Sequence, residues 1–330
     1  MNRRKSIIKG IAYWYWADRI YINRGVTKQV SFSMGRVDKA TKESLNRRKQ
    51  EILKEIIERE IKSRVDYWNP RISYRSVFNE SILEKIERLR TELMRFKTNL
   101  GDVGNGAMET AFLVDFIYNS NKLEGSRLPR DEVQKLLERD LQKDGGNEVI
   151  NTAQAKEFVD VDFKWNIKHL RKLQSILLAH EPSKIGIRKS SIVVGNDDSL
   201  LDPSHIKTSL EGLFQWLKDN RFSEYPPELA FEFYYRFERI HPFIDGNGRV
   251  GRLLMNKILK DSRFHPIIVW DKNRRKHFNA FLKASQDQYL PKFFEFMSGQ
   301  MIKTYDAYSE KIEKAVEFDS LVNHFLSPSE

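Results

Sequence analysis

The chain has 330 residues, 40% of them hydrophobic, with 57 Lys and Arg against 46 Asp and Glu and a formal net charge of +11. Its 21 Phe, 12 Tyr and 6 Trp can bury a sizeable core, which excludes wholesale disorder and suits one large core with an appendage. The lack of Cys excludes disulfides, thiolate catalysis and Cys-based zinc sites. The basic balance suits anionic partners without choosing among nucleotides, nucleic acid and acidic proteins. Acids are interspersed with the basic residues along helical stretches, the pattern of a solvated surface, so nucleic-acid binding is not expected. Met1 to Ile8 carries positive charge, but Asp18 and Arg19 arrive before a long apolar stretch, so a signal peptide is not expected. No apolar run is long enough to span a bilayer, and the expected setting is cytoplasmic, with no membrane.

Strand-forming residues come first. Tyr13 to Trp16, Ile20 to Ile22 and Val30 to Ser33 are β-formers, with Asn23-Arg24-Gly25 as a turn and Gly35 as a stop. They predict a small hairpin or three-stranded unit that must pack on something to be stable. A charged helix follows over 39–64, with Leu45, Ile52, Leu53, Ile56 and Ile57 at helical spacing, until Asn69-Pro70 breaks it. A second helix is predicted over 79–98 and a loop over Gly101 to Gly106. The expected division is an N-terminal unit, residues 1–75, of unknown role, and a larger domain, residues 76–320. Further helices are predicted over 107–120, 129–143, 148–160, 163–179, 203–219, 226–240, 247–260, 274–285 and 290–314. Ser190 to Asp197 interrupts them with β-branched residues and a turn, and predicts a short hairpin.

The chemistry concentrates in 226–260. Pro226-Pro227 opens a helix with Leu229, Phe233, Phe237 and Ile240 on one face. Pro242 stops it, because the residue before a proline avoids the helical region. Gly246 and Gly248 then allow positive φ and free backbone N–H groups at the start of the next helix, where an anion cradle forms. Arg249 and Arg252 supply planar forks for phosphate oxygens. Asp245 offers a hard carboxylate for Mg²⁺ when phosphates provide other ligands. His241 is the one side chain there whose ordinary titration lies near neutrality, which makes it a candidate general base.

The stretch His241-Pro242-Phe243-Ile244-Asp245-Gly246-Asn247-Gly248-Arg249-Val250-Gly251-Arg252 resembles the Fic family signature, H-x-F-x-[DE]-G-N-G-R-x-x-R, at every fixed position. The resemblance extends over roughly 107–300. It implies a mainly α fold: a Fic-type helical bundle with a short β-hairpin flap, preceded here by the small β-containing N-terminal unit. It also implies a protein adenylyltransferase, moving AMP from ATP to a Tyr, Ser or Thr hydroxyl of a target protein. On that resemblance His241 deprotonates the hydroxyl, Phe243 holds the loop from the core and Asp245 binds Mg²⁺. Gly246, Asn247 and Gly248 cradle phosphate, with the Asn247 side chain on the α-phosphate. Arg249 meets the β-phosphate and Arg252 the γ-phosphate, with Val250 and Gly251 completing the ATP-binding run.

Ser120-Asn121-Lys122-Leu123-Glu124-Gly125 resembles the family's inhibitory motif, [ST]-x-x-x-E-[GN], in a helix near 112–125. It implies that Glu124, steadied by Ser120, pairs with Arg252 in place of the γ-phosphate. The hairpin resembles the family's flap, with Val194, Gly195, Asn196 and Asp197 nearest nucleotide or target. Gly186-Ile187-Arg188 resembles a glycine–arginine pair that shapes the loop. His277 and Phe278 stand where many relatives have two tyrosines, and Phe278 is expected to pack on adenine. Self-modification and a homodimer are further expectations from relatives. The competing readings are another nucleotide donor, removal of AMP, or nucleotide binding without turnover. The presence of His241 disfavours the last.

Overall fold

The computed structural model describes residues 2–99, 101–139, 146–191, 201–286 and 289–326. Among the described residues the fold is mainly α, with one small sheet at the N-terminus. Strands β1 (Asn2–Ile8), β2 (Ile11–Asn23) and β3 (Val26–Arg36) form an antiparallel meander in the order β1-β2-β3. β2 runs unbroken through both of its expected strand segments, with bulges near Trp14 and Tyr21. The pairing of charged Arg3, Arg4 and Lys5 with Trp16, Tyr15 and Trp14 has no apolar signal of its own.

Helix α1 (Lys42–Trp68) begins with a capping box, Thr41 and Ser44 bonding each other's backbone. Its first half covers the sheet: Ile52 and Ile56 pack with Trp16, Ile20, Ile22, Val30, Phe32 and Met34 in a separate small core. Its second half contributes Ile61, Val65 and Trp68 to the main core. Arg64, 1% exposed, ties the parts together by donating to the Tyr21 carbonyl and to Thr91 of α2 (Glu80–Asn99).

Residues 101–106 depart from the expected loop. Helix α3 runs from Gly101 to Leu123. Each glycine costs a helix about 1 kcal/mol; Met108 and Phe112 in the main core anchor the same helix and offset that cost. The bundle continues with α4 (Arg130–Arg139), α5 (Asn147–Val161), α6 (Ile167–Leu177), α7 (Ile206–Asn220), α8 (Pro226–Ile240), α9 (Asn247–Asp261), α10 (Arg274–Gln286) and α11 (Pro291–Leu326). α8 and α9 pack against each other at its centre, lined by Phe233, Phe237, Phe243, Val250 and Leu254, all with no exposed surface. Most of the expected hairpin, including Val194, Gly195, Asn196 and Asp197, lies outside the described residues. Among the described residues no helix is long and apolar enough to cross a membrane.

Candidate active site

The loop between α8 and α9 is set by two left-handed residues. His241 caps α8 at φ 44°, and Gly246 precedes α9 at φ 85°. Non-glycine residues rarely hold positive φ, and here the surroundings enforce it. Arg188, 3% exposed, donates from Nε to the His241 carbonyl at 2.7 Å and from Nη2 to the Ile240 carbonyl at 3.2 Å. The same guanidinium reaches the Ser190 and Leu201 carbonyls. A backbone bridge between Ile187 and Phe243 runs alongside. Arg188 thus clasps the end of α8, in line with the loop-shaping role expected for Gly186-Ile187-Arg188.

Phe243 is fully buried, and Asn247 braces it on both sides. The Phe243 N–H donates to Asn247 Oδ1, and Asn247 Nδ2 donates to the Phe243 carbonyl, each at 3.0 Å. Asn247 also lines the cavity over the loop. Its side chain braces the loop through these two bonds and keeps its second Nδ2–H. Gln174, 1% exposed, fastens the loop to α6 through the Asp245 carbonyl at 3.2 Å and the Gly186 N–H at 3.0 Å.

A cavity of about 540 Å³ opens over this loop, lined by Glu124, His241, Asp245, Gly246, Gly248, Arg252, His277 and Phe278 among others. Arg249, Val250 and Gly251 do not line it. Arg249 is 5% exposed and holds Asp245 from behind at 3.4 Å. Val250 is a core residue, and a side-chain carbon on Gly251 would fall 2.8 Å from the Tyr234 ring. Phe278, 47% exposed, presents its ring to the cavity, whereas His277 is 3% exposed.

Arg252, 2% exposed, is satisfied on every side. Its Nη2 donates to Glu124 Oε1 at 2.7 Å and to the Ser120 carbonyl at 3.0 Å. Nε donates to Ser120 Oγ at 3.0 Å, and Nη1 donates to the Tyr234 hydroxyl at 3.3 Å. Glu124 follows the last turn of α3, where its N–H bonds the Asn121 carbonyl, before Gly125 turns the chain at φ 103°. Its carboxylate sits where a side chain on Gly248 would project. A side chain at 248 would have to push the Glu124 carboxylate aside. The expected Glu124–Ser120–Arg252 group is assembled.

His241 departs from its expected titration. Burial lowers its pKa to about 4, outweighing a hydrogen bond to the Glu238 backbone that raises it. The imidazole is thus neutral at pH 7 and free to accept a proton. Asp245 is 31% exposed and also pairs with Lys184 at 3.3 Å. Among the described residues no three His, Asp or Glu side chains converge as a metal site. Asp245 alone suits a metal only where nucleotide oxygens complete the coordination.

Sequence reasoning missed Lys184, Gln174, Tyr234 and Glu238. For the last two a signal existed. Tyr234, Glu238 and His241 recur at i, i+4 and i+7 along α8, one stripe beside its apolar face. Lys184 and Gln174 reach the loop from a distant part of the chain, and no local pattern marks them.

A Fic/DOC family model matches residues 164–259. The protein adenylyltransferase Fic of Drosophila melanogaster is 27% identical over 242 residues, covering 70% of this chain and 48% of that protein. The Drosophila persimilis protein of the same name is 26% identical with similar coverage. The chain spans about half the length of these curated relatives. Among solved structures, a Fic-domain-containing signaling protein from Bacteroides thetaiotaomicron aligns with TM-score 0.62 and 21% identity, covering 70% of this chain and 98% of that one. Fic-1 from C. elegans aligns with TM-score 0.59 and 20% identity, covering 84% and 80%. These structures share the fold, and the curated relatives share the name adenylyltransferase. Residues 164–259, which include the His241-to-Arg252 loop, therefore form a Fic/DOC domain by their match to that family model.

Proposed function

We propose that the chain transfers AMP from ATP to a Tyr, Ser or Thr hydroxyl of a protein, itself included, and that Glu124 holds the resting site inhibited. One observation carries this reading: a neutral imidazole, a glycine-lined helix start and a buried guanidinium face one cavity with an exposed aromatic ring at its wall. The helix start and Arg252 bind the phosphates, and Phe278 packs on the adenine. His241 takes the proton from the target hydroxyl. The hydroxyl oxygen bonds to the α-phosphorus as the bond to the β-phosphate oxygen breaks, and pyrophosphate leaves. Asp245 would hold Mg²⁺, which offsets phosphate charge when bound. Positioning and charge stabilisation supply the rate.

Glu124 occupies Nη2 of Arg252, the position the γ-phosphate needs. ATP then binds without the grip that aligns its α-phosphate. The test uses the Glu124→Gly protein with α-labelled and γ-labelled ATP in parallel. Protein-bound label from the α position alone, lost in Glu124→Gly/His241→Ala, is expected. Label from the γ position, or α-label that survives loss of His241, would overturn the reading.

A further inference from the structure

The last turn of α8 holds a carboxyl group that the proposed reaction leaves without a role. Glu238 lies three residues before His241, and its side chain is only 16% exposed. Its Oε2 stands 3.6 Å from His241 Nδ1. Its Oε1 is shielded from solvent and has no hydrogen-bond partner. A buried acid with an orphaned oxygen is a costly residue to keep where a Leu or Phe would pack, and such groups cluster at functional positions.

We propose that Glu238 is the positioning residue of His241, holding the Nδ1 edge of the imidazole so that Nε2 stays turned to the cavity. The hold is double. The Glu238 backbone accepts a hydrogen bond from the imidazole, and its carboxyl backs the same ring from one turn below. When Nε2 takes a proton, the positive charge spreads to Nδ1 beside that carboxyl. Glu238 touches neither nucleotide nor target; it acts through the ring it supports.

The surroundings decide its charge. Burial, and then the nearby Glu124 carboxylate, push its pKa up to about 8, while Arg252 pulls the other way. Tyr234, Arg239, Asp245 and His277 are the other charged or titratable groups on the same wall. At pH 7 Glu238 is therefore mostly neutral and adds no negative charge beside the triphosphate. Above about pH 8 it ionises and repels it.

This inference rests on the AMP-transfer reading, so the experiment runs in the active Glu124→Gly background. If that parent transfers no label, the transfer reading fails before Glu238 is tested. With an active parent, Glu238→Leu should lower kcat by about 10- to 100-fold, the cost of a misaligned reacting group, with KM for ATP within about twofold. Glu238→Gln, which keeps size and neutrality, should restore most of that rate at pH 7. It should also remove the alkaline loss of the parent, which lacks the Glu124 carboxylate and therefore ionises Glu238 at a lower pH than the intact protein does. Circular dichroism of the leucine variant confirms folding; should it be unfolded, the pH profile of the glutamine variant decides alone. Unchanged kcat in a folded leucine variant, or the same alkaline loss in the parent and the glutamine variant, overturns the proposal.

Discussion

Replacing Glu124 with Gly should release the site, and the geometry gives the size of the effect. Arg252 is 2% exposed and makes four hydrogen bonds, of which Glu124 supplies one, at 2.7 Å. The other three, from Ser120 Oγ, the Ser120 carbonyl and the Tyr234 hydroxyl, survive the substitution. The guanidinium therefore stays posed while its outward nitrogen is freed. A charge-assisted hydrogen bond contributes roughly 1.5–3 kcal/mol. Glu124 is 33% exposed, so water screens part of that and about 1.5–2 kcal/mol is the appropriate share. A competitor held by that much suppresses productive ATP binding by about 10- to 30-fold. Initial rates of α-label incorporation, measured for both proteins below saturating ATP, should differ by that factor. Equal rates would refute the reasoning, because Arg252 would then not be the contested group.

Three further outcomes follow from the same geometry. Gly251→Ala should destabilise the protein by about 1–3 kcal/mol, because the added carbon falls 2.8 Å from the Tyr234 ring; thermal melts check it. Arg188→Ala should cost about 2–4 kcal/mol and slow transfer, since it strands the His241 and Ile240 carbonyls; melts and label incorporation in the Glu124→Gly background check both. The acid limb of the rate profile should centre near pH 4, not 6.5, because burial keeps His241 unprotonated down to about 4. The same shift makes stability fall as pH drops from 6.5 towards 4, where the unfolded imidazole takes a proton that the folded one refuses. Replacing His241 with Phe should flatten that fall in urea titrations across the window.

The helices were legible because each long one keeps an apolar face at helical spacing, and the loop was legible because Pro242 restricts the residue before it and Gly246 permits a left-handed turn; Gly248, expected to share that freedom, lies inside α9 without positive φ. Gly246 takes positive φ, as its residue type allows. Positive φ at His241 could not be read, because a histidine gives no local sign of it; Arg188 imposes it from 53 residues away. Gly101 to Gly106 misled for the opposite reason: glycine-rich composition argued for a loop, and packing further along α3 overrode it. The bracing bonds between Asn247 and Phe243 had no sequence signal, because they depend on a turn geometry that only the folded loop has. The continuity of β2 was hidden by Asp18-Arg19, which look like a break but sit paired with Val30 and Gln29.

AMP transfer itself is read by intact-mass spectrometry of the Glu124→Gly protein incubated with ATP and Mg²⁺, alone and with a cell lysate. The expected result is a gain of one AMP on the protein itself or on a lysate protein, at a Tyr, Ser or Thr, and no such gain when His241 is also replaced by Ala. No AMP adduct on any protein, or an adduct formed equally well without the imidazole, would contradict it.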